Sequence, residues 1–228
     1  MPILRDIPLN IEVDDLLRAQ GAEPHTIRAR RPAIVRAAET ALESGRSLLE
    51  PLVLYEIYPV EALHHERLIL KGGKTLNGPL IATHAGRARQ VIALVCTIGP
   101  ALETHAADLM RTDPLRALAL DALGSAAAEV LAVSACNLLE TETTTNGWHA
   151  SMPLNPGMIG WPVEQGQPEL FALLDASQIG IQLTEGGVMK PLKSVSLVMG
   201  IGPDLSTPGK PCDYCTMSAT CRYQYHYA

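Results

Sequence analysis

Gln90-Val-Ile-Ala-Leu-Val-Cys96 is a short β-branched apolar run bounded by Arg89 on one side and by Thr97 and Gly99 on the other. That pattern predicts a buried strand. Pro100 follows where a helix can begin at no cost in hydrogen bonds, and a helical pattern runs to about Arg111. A strand therefore feeds a helix through a tight turn. Asp113-Pro114 marks the next helix start: Asp113 accepts from an orphan amide, and Pro114 sits in the first turn, where its missing N–H costs little. From Leu115 to about Glu140, residues Leu115, Leu118, Ala119, Ala122, Leu123, Ala126 and Val130 share one broad face. Gly124, Ala128, Ala132 and Ala135 leave room for another element to approach closely. The expectation is a central buried helix.

Upstream, Pro24 opens a helix expected from about Ile27 to Leu48, with Ile34, Val35, Ala38, Ala41 and Leu42 at helical spacing. A helical region is expected from Val60 to Leu70, containing His64 and His65, before Gly72-Gly73 punctuates the chain. Downstream, Thr141 to Pro156 shifts to Thr, Asn, Gly and Pro and favours turns. Glu164 to Asp175 reads as a helix, and Ile179 to Leu183 and Ser194 to Ile201 read as strands. Pro203, Pro208, Gly209 and Pro211 make a linker, so the chain divides into a body over 1–202 and a linker with a cysteine-bearing tail over 203–228.

The chain has 228 residues, 47% of them hydrophobic, with a single Phe and two Trp, so Ala, Leu, Val and Ile must build the core. A net charge of -6 and the lack of a Lys/Arg stripe argue against a nucleic-acid partner, which needs a basic footprint. Arg28, Arg30 and Arg31 read as a solvated helix face. No apolar stretch is read as reaching the roughly 18 residues that span a bilayer. Met1 to Arg18 mixes Arg5, Asp6, Glu12, Asp14 and Asp15 with single apolar residues and offers no secretory h-region. A soluble, cytoplasmic protein without a membrane partner is expected, in a compartment that keeps thiols reduced.

Cys212, Cys215 and Cys221, spaced C-x2-C-x5-C, end a chain that otherwise holds only Cys96 and Cys136. Thiolates this close in sequence can reach one centre, which points to a metal or iron–sulfur site; a reducible disulfide or a plain cysteine-bearing tail is the alternative. Three thiolates suit a [4Fe–4S] cluster with a non-cysteine or open fourth position. Tetrahedral zinc wants a fourth ligand, and His226 stands at a suitable spacing. Tyr214, Tyr223, Tyr225 and Tyr227 are expected to shield the centre or pack it on the body. Cys96 and Cys136 read as inert core thiols. No H-x3-H, H-E-x-x-H, Ser–His–Asp or phosphate-loop pattern is assigned.

The second candidate site is Met152-Pro-Leu-Asn-Pro-Gly-Met-Ile-Gly-Trp-Pro162, where three prolines and two glycines fix an extended, turning backbone. Its polar groups cannot all pair in a helix or sheet, so a ligand can use them. Asn155, Pro156, Gly157, Met158, Gly160 and Trp161 are the candidate ligand-binding residues. The plainer reading is a rigid turn that packs Trp161 over the core.

Several segments together resemble the activation domain of cobalamin-dependent methionine synthase, in its stand-alone bacterial form. They are Leu94-Val-Cys-Thr-Ile-Gly-Pro-Ala-Leu-Glu103, Leu120-Asp-Ala-Leu-Gly-Ser-Ala-Ala-Ala-Glu129, Asn155-Pro-Gly with Trp161-Pro162, Leu170 to Asp175, Ile179 to Glu185, and Met189 to Ser196. The resemblance implies an α+β fold with a twisted antiparallel sheet flanked by helices, here with a small Cys-rich metal-binding tail. It also implies S-adenosylmethionine as ligand and a corrinoid-binding protein or methyltransferase as partner, whose oxidised cobalt is reduced and remethylated.

The family's Pro-Gly turn corresponds to Asn155, Pro156 and Gly157. Where the family commonly has an Arg before this turn and a Tyr after it, this chain has Pro153 and Met158. The change removes a bidentate carboxylate partner and a stacking ring, and is expected to weaken S-adenosylmethionine binding. Thr184 and Glu185 lie where the family has a similar segment, and Glu185 is expected either to face the Asn155 turn or to stay a surface carboxylate. Lys190 and Lys193 are solvated or dock an acidic partner.

The resulting expectation is an accessory redox protein of corrinoid-dependent methyl transfer, acting through a Cys-ligated iron–sulfur centre as a reactivating reductase or a methyltransferase accessory protein. A small-molecule enzyme with a non-adenosyl ligand and a zinc-organised binding module are the alternatives.

Overall fold

The computed structural model describes residues 1–145, 147–205 and 209–221. In chain order the elements are β1 (Ile3–Leu4), α1 (Val13–Ala19), α2 (Pro24–Arg30), α3 (Pro32–Gly45), β2 (Leu52–His64), β3 (Arg67–Leu70), β4 (Lys74–Asn77), α4 (Pro79–Ala85), β5 (Gln90–Thr97), α5 (Ala101–Leu109) and α6 (Pro114–Thr145). They continue with β6 (His149–Ala150), α7 (Val163–Phe171), β7 (Gln182–Leu183), β8 (Met189–Lys190) and β9 (Ser194–Gly202). The main sheet runs β4-β3-β2-β5-β9-β6, with β1 paired to β2, and every pairing is antiparallel. The expected α+β class holds, with helices flanking a curled antiparallel sheet.

The unbroken apolar run of β5 has a direct cause: both its faces are covered. Ile92, Leu94 and Cys96 point into one core with Leu197 and Met199 of β9, beneath α6. Val91, Ala93 and Val95 point into a second core with Val198, Leu80, Ile81 and Trp161, beneath α4 and α7. A strand buried on both sides needs no polar alternation.

α6 is the central helix expected, starting where Asp113 Oδ1 accepts from the Arg116 amide at 3.1 Å. It is apolar over a broad front because α1, α3, α5 and the sheet pack against it, while Asp121 and Glu129 lie on its exposed side. By length and composition this helix is apolar enough to cross a membrane, contrary to the expectation that no stretch is, yet 61% of its most apolar window is buried within the fold. Leu120 and Leu123 are fully buried, each contributing about 2 kcal/mol relative to exposure. That outweighs the roughly 0.5–1 kcal/mol that Gly124 costs in mid-helix. Leu115 and Leu118, expected on the buried face, are exposed.

Three local expectations change. The helix from Ile27 to Leu48 breaks at Arg31, because Pro32 cannot continue α2 and instead opens α3. The Val60 to Leu70 region is not helical: β2 and β3 form a hairpin that turns at His65 with φ 54°. Pairing of β2 with β3 and β5 decides for the strand, and Leu68 and Leu70 bury alternate positions at a period of two. Of the strand expected at Ile179 to Leu183, only Gln182–Leu183 is extended, after a 3-10 turn over Ala176–Ile179.

Candidate functional site

The Met152 to Pro162 loop is fixed from within. The Gly157 amide donates to the Trp161 carbonyl at 2.8 Å, the Trp161 amide to the Met158 carbonyl at 3.0 Å, and the Met158 amide to the Asn155 carbonyl at 3.2 Å. The Asn155 side-chain amide donates to the Ser196 carbonyl of β9 at 3.0 Å. Much of the loop's backbone is thus self-satisfied; Pro153, Pro156 and Met158 are half-buried, and Ile159 and Pro162 are its exposed residues.

Trp161 is fully buried, as the plainer reading required, and its Nε1 donates to Glu169 Oε2 at 3.1 Å. Glu169 also accepts from the Asn77 amide at 3.0 Å and from Gln165 Nε2 at 3.1 Å, tying α7 to the end of β4. Two glycines allow these approaches. A Cβ on Gly78 would lie 2.5 Å from the Gly160 carbonyl oxygen, and one on Gly166 would lie 2.9 Å from both Trp161 Cε2 and Pro156 Cβ.

The outer surface of this loop is one wall of a cleft of about 560 Å³. Pro153, Asn155, Pro156, Gly157 and Met158 form that wall; Ser125, Glu129, Ala132, Val133 and Cys136 of α6 face it; and Val195 and Leu197 of β9 contribute as well. The remaining wall is the tail, where Pro211, Cys212, Cys215, Thr216, Met217 and Cys221 complete the lining. The structure thus brings four loop candidates together with all three tail cysteines. Gly160 and Trp161 do not line this cleft, and neither do Thr184 and Glu185, which sit on the β7–β8 turn with Glu185 exposed. That turn does come near: Val163 lies between Gly157 and Gly187.

The tail is tied to the body at Tyr214. The Tyr214 carbonyl accepts from the Ile159 amide at 2.8 Å, and the Tyr214 ring packs edge-on against His84 with centroids 4.8 Å apart. Cys212, Cys215 and Cys221 are half-buried and none is in a disulfide. Among the described residues, no three His, Cys, Asp or Glu side chains gather closely enough to hold a metal ion. The thiols share a wall without converging. His226, Tyr223, Tyr225 and Tyr227 lie outside the described residues.

Sequence reasoning passed over Glu129. Water reaches its side chain, yet the surrounding walls crowd the carboxyl, and this desolvation raises its pKa above the usual carboxylate value. It is the single charged residue between Asp121 and Glu140 in a stretch of Ala, Leu and Val, which was the available signal. Cys136, read as inert core, does border the cleft, and burial first, then Glu129 and Glu140, push its pKa up to about 12. At neutral pH it stays a thiol. Cys96 is fully buried, and its pKa is raised first by that burial and then by Cys136. Lys193 is a structural cation: its Nζ pairs with Asp121 at 2.7 Å and donates to Ser125 Oγ at 2.9 Å.

No protein-family model matches the sequence, and no curated protein matches it either. Among solved structures it is similar to the MetH reactivation domain bound to AdoHcy, with a TM-score of 0.66 over 93% of this chain and 82% of that one, at 14% identity. By that likeness and by its own topology, the chain has the fold of the MetH reactivation domain.

Proposed function

We propose that this protein is an accessory of corrinoid-dependent methyl transfer that docks on a corrinoid-bearing partner, binds an S-adenosyl compound beside the Asn155-Pro156-Gly157 turn, and uses its tail cysteines for electron transfer. The observation that carries this reading is that the turn and the three cysteines line one cleft, in a fold shared with a reactivation domain that binds AdoHcy. Cys212, Cys215 and Cys221 are the residues that would hold an iron–sulfur cluster, whose chemistry when bound is one-electron transfer.

The chain's own groups supply the rest. Pro156, Met158, Val133 and Leu197 give apolar walls that exclude water from a bound ring. Glu129 offers a carboxylate to a cationic group, and a low local dielectric strengthens that attraction. Among the described residues the cleft has no Lys, Arg or His in its lining, so an anionic ligand group finds no side-chain cation there.

Anaerobic purification with iron, sulfide and zinc analysis tests the electron-transfer assignment. A brown protein that bleaches with dithionite is expected. Colourless protein carrying stoichiometric zinc would turn the tail into a structural module and remove the electron route.

A further inference from the structure

We propose that a second recess, further along the seam between α6 and the sheet, binds a free, small organic cation with an apolar body. Its volume is about 310 Å³, at the lower end of the range usual for small-molecule pockets. It shares no lining residue with the Asn155 cleft, so it stands whether or not that cleft takes an adenosyl ligand.

The sheet register builds its floor. Ile57 of β2 pairs with Ile92 of β5, and Gln90, two residues from Ile92 and so on the same face, pairs with Ile201 of β9. Ile92, Ile201 and Leu139 of α6 are almost wholly buried, so a ligand that reaches them enters between two layers and must bring hydrocarbon. The turn after α6 returns Trp148 to this end of the helix. There the Gly147 amide donates to the Thr144 carbonyl at 2.9 Å and the Trp148 amide to the Thr143 carbonyl at 3.4 Å. Trp148 is half-buried and lines the recess, and an indole face attracts cations.

The sign of the charge is set by α6. Its last turn carries Glu142, which lines the recess, and no basic residue, while Glu140 lies just before. A helix C-terminus holds a partial negative charge that carboxylates worsen and a cation relieves. A local rule broken beside a cavity is the mark of a functional position. Tyr55, two residues from Ile57 on the same face of β2, feels the same potential: burial first, then Glu142 and Glu56, raise its pKa. Among the described residues that line the recess there is no Lys, Arg or His to compete for Glu142.

The test titrates the full chain with phenethylammonium, with neutral phenethyl alcohol and with anionic phenylacetate. Nitrogen–proton correlation spectra follow the indole signals of the two Trp, with the Trp148 signal assigned through Trp148→Phe. A saturable shift of the Trp148 signal by the cation is expected, with the alcohol binding about fivefold more weakly and the anion not at all. Glu142→Gln is expected to bring the cation down to the affinity of the alcohol while leaving the alcohol unchanged. Added salt in the parent chain must weaken the cation alone, a readout that needs no variant. Equal binding of cation and alcohol, or cation affinity unmoved by both Glu142→Gln and salt, overturns the proposal and leaves a plain apolar recess. Absence of any saturable Trp148 shift overturns it as well.

Discussion

His84 is a buried imidazole, 1% exposed, with neither ring nitrogen hydrogen-bonded among the described residues. It lies shallowly, sealed by a thin layer that includes the Tyr214 ring. Burial lowers its pKa from the usual 6.5, so the ring stays neutral in the fold. Below the unfolded value the unfolded chain takes up the proton first, so the stability present above pH 6.5 is lost as pH falls toward the lowered folded value. Replacing His84 with Phe keeps an edge contact for Tyr214 and removes two unpartnered nitrogens, whose burial costs about 1–3 kcal/mol. The variant is expected to melt a few degrees higher at neutral pH and to lose less stability than the parent on moving to pH 5, read by thermal denaturation at both values. An equal loss in parent and variant would show that His84 does not titrate against the fold.

At the scale of elements, the loop and α7 act as one rigid piece because Gly166 lets Trp161 and Pro156 pack directly on the helix. Gly166→Ala gains about 1 kcal/mol of helix propensity but overpacks a buried ring and a proline, at a cost of about 1–3 kcal/mol. A lower melting temperature and altered Trp161 fluorescence are expected; a more stable variant would mean that the loop yields. β5, α5, α6 and β9 were legible in the sequence because continuous apolarity, Asp-Pro and Pro starts and small-residue faces each have one strong reading. The β2–β3 hairpin was not, since Val60 to Leu70 carries an apolar spacing compatible with either period, and only its sheet partners decide between them. The loop was legible as irregular, and Asn155 to Met158 as candidates. Their meeting with the tail across the cleft was not, because it depends on contacts distant in sequence, among them the Ile159 amide to the Tyr214 carbonyl and the Tyr214 ring on His84. Glu129 stood out in the sequence as a lone charge in an apolar stretch, and α6 bordering that cleft gives the charge its setting.

For the whole molecule, both hydrophobic cores are built from residues before Pro203, with Tyr214 the tail's one contribution to their margins. A chain ending at Pro211 is therefore expected to keep its circular dichroism spectrum and a cooperative melt, while losing thiol-dependent metal binding. Loss of the folded spectrum would contradict the division between body and tail.

The edges of the sheet have a further consequence. On β9 the Val198 amide and carbonyl pair with Leu154 and the Gly200 groups with Ser151, while the Ser196 carbonyl takes the Asn155 side chain. At β4 the Asn77 amide and carbonyl are met by Glu169 and Gln165. With these groups already engaged, these stretches of β9 and the Asn77 end of β4 are not free to template a foreign strand. At those positions another protein meets side chains rather than open β-ladder groups.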